Sequence, residues 1–146
     1  MTIALIAHDA KKELMTQFCI AYCGILSRHS LCATATTAKY IAEATGLGIE
    51  RLLAGSHGGS QQMASKIAYG EVDVLILLRD PSSDLEYAET EVGLIKLCDK
   101  YNVPAATNIA TAEALVLALD RGDLDWRTIV RDRGDRSAPD HAPFGA

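Results

Sequence analysis

The sequence has no surplus of positive charge: 14 Lys and Arg stand against 19 Asp and Glu, a formal charge of −5. That argues against a protein built around nucleic acid or an anionic membrane, although a local site can oppose the net charge and hold a small anion. No apolar run approaches the length of a membrane span. The opening residues, Met1-Thr2-Ile3-Ala4-Leu5-Ile6-Ala7, carry no basic region of a secretory leader, so the cytoplasm is the expected location. Cys19, Cys23, Cys32 and Cys98 form no CxxC pair, and reduced core cysteines are expected rather than a metal site or disulfide framework. There is no internal repeat, no Walker loop and no GxGxxG, so no nucleotide is implied.

What is present is ordinary for one globular domain: 146 residues, 49% hydrophobic and 23% charged. The domain is expected over residues 1–130. Residues 131–146, rich in Asp, Arg, Gly, Pro and Ala, are expected to form a flexible tail.

Short apolar runs alternate with amphipathic stretches. Strands are predicted at 2–7, 31–34, 50–54, 72–78 and 105–107, the fourth nearly continuous in apolar residues, as in a strand covered on both faces. Helices are predicted at 11–28, 38–45, 61–69, 89–101 and 111–119, with Asp9 able to cap the first. The alternation predicts a single doubly wound α/β domain: a mostly parallel sheet of about five strands with helices on both faces.

Ligands of such sheets sit outside the carboxyl ends of the strands, so the residues just after each strand are the candidates. Thr34, Thr36 and Thr37 offer hydroxyls at a helix start. The loop of Gly55, Ser56, His57, Gly58, Gly59 and Ser60 offers open backbone N–H groups before another. Both suit an oxyanion or phosphate, and both also fit plain turn and cap chemistry. Lys12, one turn into the first helix, adds a charge. His8-Asp9 reads either as an acid/base group beside a carboxylate or as a cap with a half-exposed imidazole. Asp80-Pro81 reads either as a rigid strand end or as a carboxylate aimed into the cleft. His57 is a further candidate for its place in the glycine loop. His29 is expected to be solvated at the opposite edge.

In combination these segments closely resemble methylglyoxal synthase. The segments are Ala4-Leu5-Ile6-Ala7-His8-Asp9, Ala33-Thr34-Ala35-Thr36-Thr37, Gly58-Gly59-Ser60-Gln61-Gln62, Asp80-Pro81 and Val103-Pro104-Ala105-Ala106-Thr107-Asn108-Ile109. The likeness runs in order from about Thr2 to Leu119. It implies a lyase converting dihydroxyacetone phosphate to methylglyoxal and inorganic phosphate, with no metal and no organic cofactor, in a homohexamer. It also implies that a carboxylate removes a proton beside the ketone, an imidazole polarises the carbonyl, and the phosphate then leaves. Carried over by position, His8, Asp9, Asp80 and residue 60 are catalytic. Lys12, Thr34, Thr36, Thr37, Gly55, Gly58 and Gly59 bind phosphate and substrate.

The sequence departs from the family pattern at telling places. Ser60 stands where the family's loop carries its catalytic aspartate, Tyr87 where it has a second histidine, and Thr90 where it has another aspartate. Ala54 and Ala35 replace a serine and a glycine, and the family's subunit-crossing arginine has Arg127, Arg131 and Arg133 as substitutes. A serine hydroxyl cannot take a carbon-bound proton unaided at neutral pH, and losing a positioned base costs about 10²–10⁴-fold. The alternative is therefore a non-catalytic sensor of a phosphorylated metabolite on the same fold. An aspartate restored at position 60 is expected to raise activity.

Overall fold

In a computed structural model, which describes residues 1–82 and 88–134, five strands form one parallel sheet in the order β3-β2-β1-β4-β5. The strands are β1 (Thr2–Ala7), β2 (Ser30–Ala33), β3 (Ile49–Arg51), β4 (Val74–Leu78) and β5 (Ala105–Ala106). β4 reads VLILL and is buried at every position, which fits a central strand covered on both faces. β1 lies between β2 and β4, pairing Leu5 with Ala33 on one side and with Ile76 on the other.

The helices are α1 (Lys12–Ala21), α2 (Cys23–Leu26), α3 (Ala35–Thr45), α4 (Gly59–Ala68), α5 (Ala88–Tyr101), α6 (Ile109–Asp120) and α7 (Trp126–Gly134). Alternate side chains of the strands divide the core in two. On one face Ile3, Leu5 and Ile76 pack with Phe18 of α1, Ile41 of α3 and Val116 of α6. On the other, Ala4, Leu75 and Leu77 pack with Met63 of α4 and Leu94 of α5. The doubly wound α/β architecture is thus the one the alternation predicts.

Several boundaries move. The single helix expected over 11–28 breaks at Tyr22, whose backbone leaves the helical region at φ −107° and ψ 21°, with the weak helix former Gly24 just beyond. Asp9 does not cap it; its carboxylate pairs with Lys12 at 3.0 Å instead. α7 was hidden by its charge, since Arg and Asp dominate it, yet it carries regular structure through 134, four residues past the boundary expected for the tail. All four cysteines are free thiols, and burial pushes Cys19 up to about 12 and Cys32 and Cys98 up to about 11, so these three stay protonated as core residues do.

From β1 the chain winds outward to β2 and β3, and from β4 it winds the other way to β5. The strand order reverses between β1 and β4, and the carboxyl end of that switch point is where such sheets open a crevice.

Candidate active site

A cavity of about 500 Å³ opens at that place. Its lining joins the ends of four segments that are far apart in sequence: His8, Asp9 and Lys12 after β1, Thr34 and Thr36 after β2, Gly55 before α4 and Ser60 in its first turn, and Asp80 after β4. Thr90 and Glu91 of α5 complete it, against an apolar wall of Ile6, Leu77 and Leu94.

One half of the cavity is made of main chain and hydroxyls. Thr34 precedes α3 in an extended conformation, so the first turn of the helix presents its N–H groups and the positive end of its dipole. Thr36 on that turn is exposed. Lys12 reaches back to the end of β1, where its Nζ donates to the Ala7 carbonyl at 2.8 Å and to Asp9 Oδ1 at 3.0 Å. These bonds hold a cation in the wall at 12% side-chain exposure. The glycine loop closes the same half. A Cβ on Gly59 would stand 2.8 Å from the Ala54 carbonyl oxygen, so only glycine permits this close approach. Gly58 turns the chain at φ +102°, and a Cβ on Gly55 would lie 3.8 Å from Ser60 Oγ, which places that hydroxyl over the loop.

The other half is made of side chains. The backbone N–H of Asp80 donates to His8 Nδ1 at 2.9 Å. An amide N–H can only donate, so Nδ1 is the acceptor and a neutral His8 carries its proton on Nε2. That Nε2–H meets Oε1 of Glu91, whose Oε2 accepts from Arg79 Nε at 3.0 Å. Glu91 is buried, with 9% of its side chain exposed. The Asp80 carboxylate serves its own loop: Oδ1 accepts from Ser82 Oγ at 2.6 Å and from Ser82 N at 3.0 Å, and these bonds lower its pKa.

Not every expected residue belongs to the lining. Thr37 is 1% exposed and turned into the core, its hydroxyl 3.5 Å from that of Thr34, because the helical turn places it on the buried face of α3. Gly58 and Gly59 shape the loop from behind, where they make the turn and the close contact with Ala54. His57 is exposed and outside the lining. Arg127 is engaged at the amino end of the sheet, its side chain 10% exposed beside Asp73 and donating to the Asn102 carbonyl. The side chains of Arg131 and Arg133, and Tyr87, lie outside the described residues. His29 is half-buried, with the terminal amine of Met1 3.5 Å from Nδ1. Glu91 went unseen in the sequence, although a signal existed: it begins the buried stripe Glu91, Leu94, Cys98 of α5, where a carboxylate needs partners.

Among the described residues, no helix is long and apolar enough to cross a membrane.

The MGS-like domain family matches residues 16–107. A methylglyoxal synthase of Caldicellulosiruptor saccharolyticus is 55% identical over 140 residues, covering 96% of this chain and 99% of that protein. One of Clostridioides difficile is 47% identical over 136 residues, covering 93% and 99%. The crystal structure of a methylglyoxal synthase from Elizabethkingia anophelis NUHP1 superposes with a TM-score of 0.71 at 37% identity, covering 79% of this chain and 76% of that one. With a matching domain, near full-length relatives and the same fold, the chain belongs to the methylglyoxal synthase family.

Proposed function

We propose that this protein is a methylglyoxal synthase, a carbon–oxygen lyase that converts dihydroxyacetone phosphate to methylglyoxal and inorganic phosphate without metal or organic cofactor. The observation that carries this reading is one cavity in which an anion-binding half faces a histidine–carboxylate pair. A three-carbon phosphate ester needs both: a cradle for its phosphate and proton-handling groups a few bonds away.

The chemistry follows from the two halves. The first turn of α3, Thr34, Thr36, Gly55 and Lys12 hold the phosphate. A base removes a proton from the hydroxymethyl carbon, and the C–H electron pair forms the C=C bond of an enediolate. The carbonyl electrons move to oxygen, where a hydrogen-bond donor such as His8 Nε2–H stabilises the charge. The hydroxyl on the terminal carbon then gives up its proton and becomes an aldehyde. The double bond shifts, and the C–O bond to phosphate breaks with its electron pair leaving on the phosphate. The enol released tautomerises to methylglyoxal.

Thr34, Thr36, Lys12 and Gly55 are the residues of this chain assigned to the phosphate, and His8 is assigned to the carbonyl oxygen. Asp9 holds Lys12, and Asp80 holds His8 through its backbone N–H; these are positioning roles. A homo-oligomer, a hexamer as the family typically forms, and a cytoplasmic setting belong to the same reading. The exposed apolar side chains of Ile20, Tyr69 and Ile129 are consistent with contact between copies.

The test is a colorimetric assay of methylglyoxal with a parallel assay of phosphate, starting from dihydroxyacetone phosphate. Equal amounts of both products are expected. Binding of the ester with neither product formed would overturn the reading in favour of a non-catalytic sensor.

A further inference from the structure

We propose that Glu91 is the general base of this reaction, supplying the carboxylate that the cavity lacks at Ser60. The assignment rests on the activity proposed above.

The argument is one of elimination over the titratable groups lining the cavity, which among the described residues are His8, Asp9, Lys12, Asp80 and Glu91. Lys12 is a cation paired with Asp9. The Asp9 carboxylate itself is 99% exposed and held by Lys12 at 3.0 Å, so it meets a reacting carbon only in the presence of water. Neutral His8 has no basic nitrogen to offer, since Nδ1 is taken by the Asp80 N–H and Nε2 bears the proton. The Asp80 carboxylate turns back on its own loop, where Oδ1 accepts from both Ser82 donors in an exposed position, away from the apolar wall. Ser60 has only a hydroxyl.

Glu91 remains, and its surroundings suit the task. It is 7% exposed and lies by the apolar wall of Ile6, Leu77 and Leu94. Each carboxylate oxygen has two lone-pair sites, and the structure uses one on each, Oε1 for His8 and Oε2 for Arg79. The remaining lone pairs can accept a carbon-bound proton. Its bond to His8 also puts base and electrophile side by side. As a ketone enters, the Nε2–H transfers from Glu91 to the carbonyl oxygen while the carboxylate faces the carbon next to it. The proton then moves from carbon to Glu91, the C–H pair becomes the C=C bond, and the oxygen's new charge is met by the Nε2–H. Arg79 compensates the carboxylate while it is charged.

The experiment compares steady-state kinetics and inorganic phosphate affinity for the wild type, Glu91→Gln, Ser60→Asp and the double variant. Glu91→Gln is expected to lower kcat by about 10²–10⁴-fold and to flatten the acid limb of the kcat/KM profile, with phosphate affinity kept within about threefold. Ser60→Asp is expected to raise kcat by more in the Glu91→Gln background than in the wild type, since only there is a base missing. Retained phosphate affinity shows that Glu91→Gln is folded. If it does not fold, Glu91→Asp takes its place, expected to keep the acid limb at reduced kcat. A kcat within about threefold of wild type, an acid limb unchanged in Glu91→Gln, or an equal gain from Ser60→Asp in both backgrounds would overturn the assignment and leave the activity standing. A wild type that forms no methylglyoxal would overturn both.

Discussion

On the β2–β3 side of the cavity the lining comes from main chain and hydroxyls set by local sequence, with Lys12 reaching in from the start of α1. On the β1–β4 side it is made of side chains brought together over 72 residues, from His8 to Asp80, and over 83, from His8 to Glu91. The first side depends on backbone conformation: the extended Thr34 before α3, the positive φ of Gly58, the close approach at Gly59. The second depends on hydrogen bonds between elements that meet only in the folded sheet. The two sides therefore rest on physically different foundations, and substitutions should separate the binding proposed for one from the chemistry proposed for the other.

The largest separation is expected from His8→Leu. Removing the imidazole takes the donor from the carbonyl oxygen, so kcat should fall by about 10²–10⁴-fold while inorganic phosphate binds as in wild type. Kinetics paired with calorimetry checks this, and a parallel loss of phosphate affinity would join the two halves into one.

Lys12→Met should do the reverse. A charge-assisted bond to phosphate is worth about 1.5–3 kcal/mol, so affinity for inorganic phosphate should weaken by roughly 10–150-fold. The remaining affinity should depend less on salt, which titrations at two ionic strengths would reveal.

Gly59→Ala tests the backbone foundation. The new methyl would press on the Leu53 carbonyl oxygen, its nearest neighbour, and on that of Ala54 at 2.8 Å. A cost of about 1–3 kcal/mol is expected, lowering Tm by about 2–12 °C in a thermal melt. An unchanged Tm would show that the loop yields easily.

Thr37→Val sharpens the same side. Its hydroxyl faces Thr34 rather than the cavity. Stability should drop by about 0.5–1.5 kcal/mol with phosphate affinity within about twofold of wild type. A larger loss of affinity would return Thr37 to the site.

The smallest effect lies at the amino end of the sheet, away from both halves. Burial, then the neighbouring terminal amine, lowers the His29 pKa from 6.5. The unfolded chain therefore takes up a proton there at a higher pH than the folded one. The stability this group contributes is present above pH 6.5 and is lost as pH falls through the lower folded value. His29→Gln should flatten the fall in Tm on acidification slightly, and turnover should be unaffected.

The same contrast decides what the sequence disclosed. The alternation of apolar runs revealed the parallel sheet, because strands buried on both faces must be apolar throughout. The half of the cavity made of main chain and hydroxyls was legible because glycine and threonine before a helix state their backbone chemistry locally. Thr37 misled because hydroxyls two and three residues from Thr34 look alike until a helical turn assigns one to the core. The half made of side chains was only half legible. His8 and Asp80 stand at strand ends and could be read, but the partners of each nitrogen of His8 depend on how β1, β4 and α5 come together. Glu91 sat inside an amphipathic pattern whose single buried carboxylate is noticed only once the helix face is known. α7 escaped because its apolar stripe is only Trp126, Ile129 and Val130, in a nine-residue stretch where Arg127, Arg131, Asp132 and Arg133 give the impression of a solvated tail.

The most direct test of this division is a crystal structure with inorganic phosphate bound. The anion should lie against the first turn of α3 and the Gly55 backbone, within hydrogen-bond reach of Thr36 and Lys12, with His8 and Glu91 still bonded to each other. A phosphate seated instead between His8 and Arg79, with Glu91 displaced, would contradict it, for the side assigned to protons would then be the side that holds the charge.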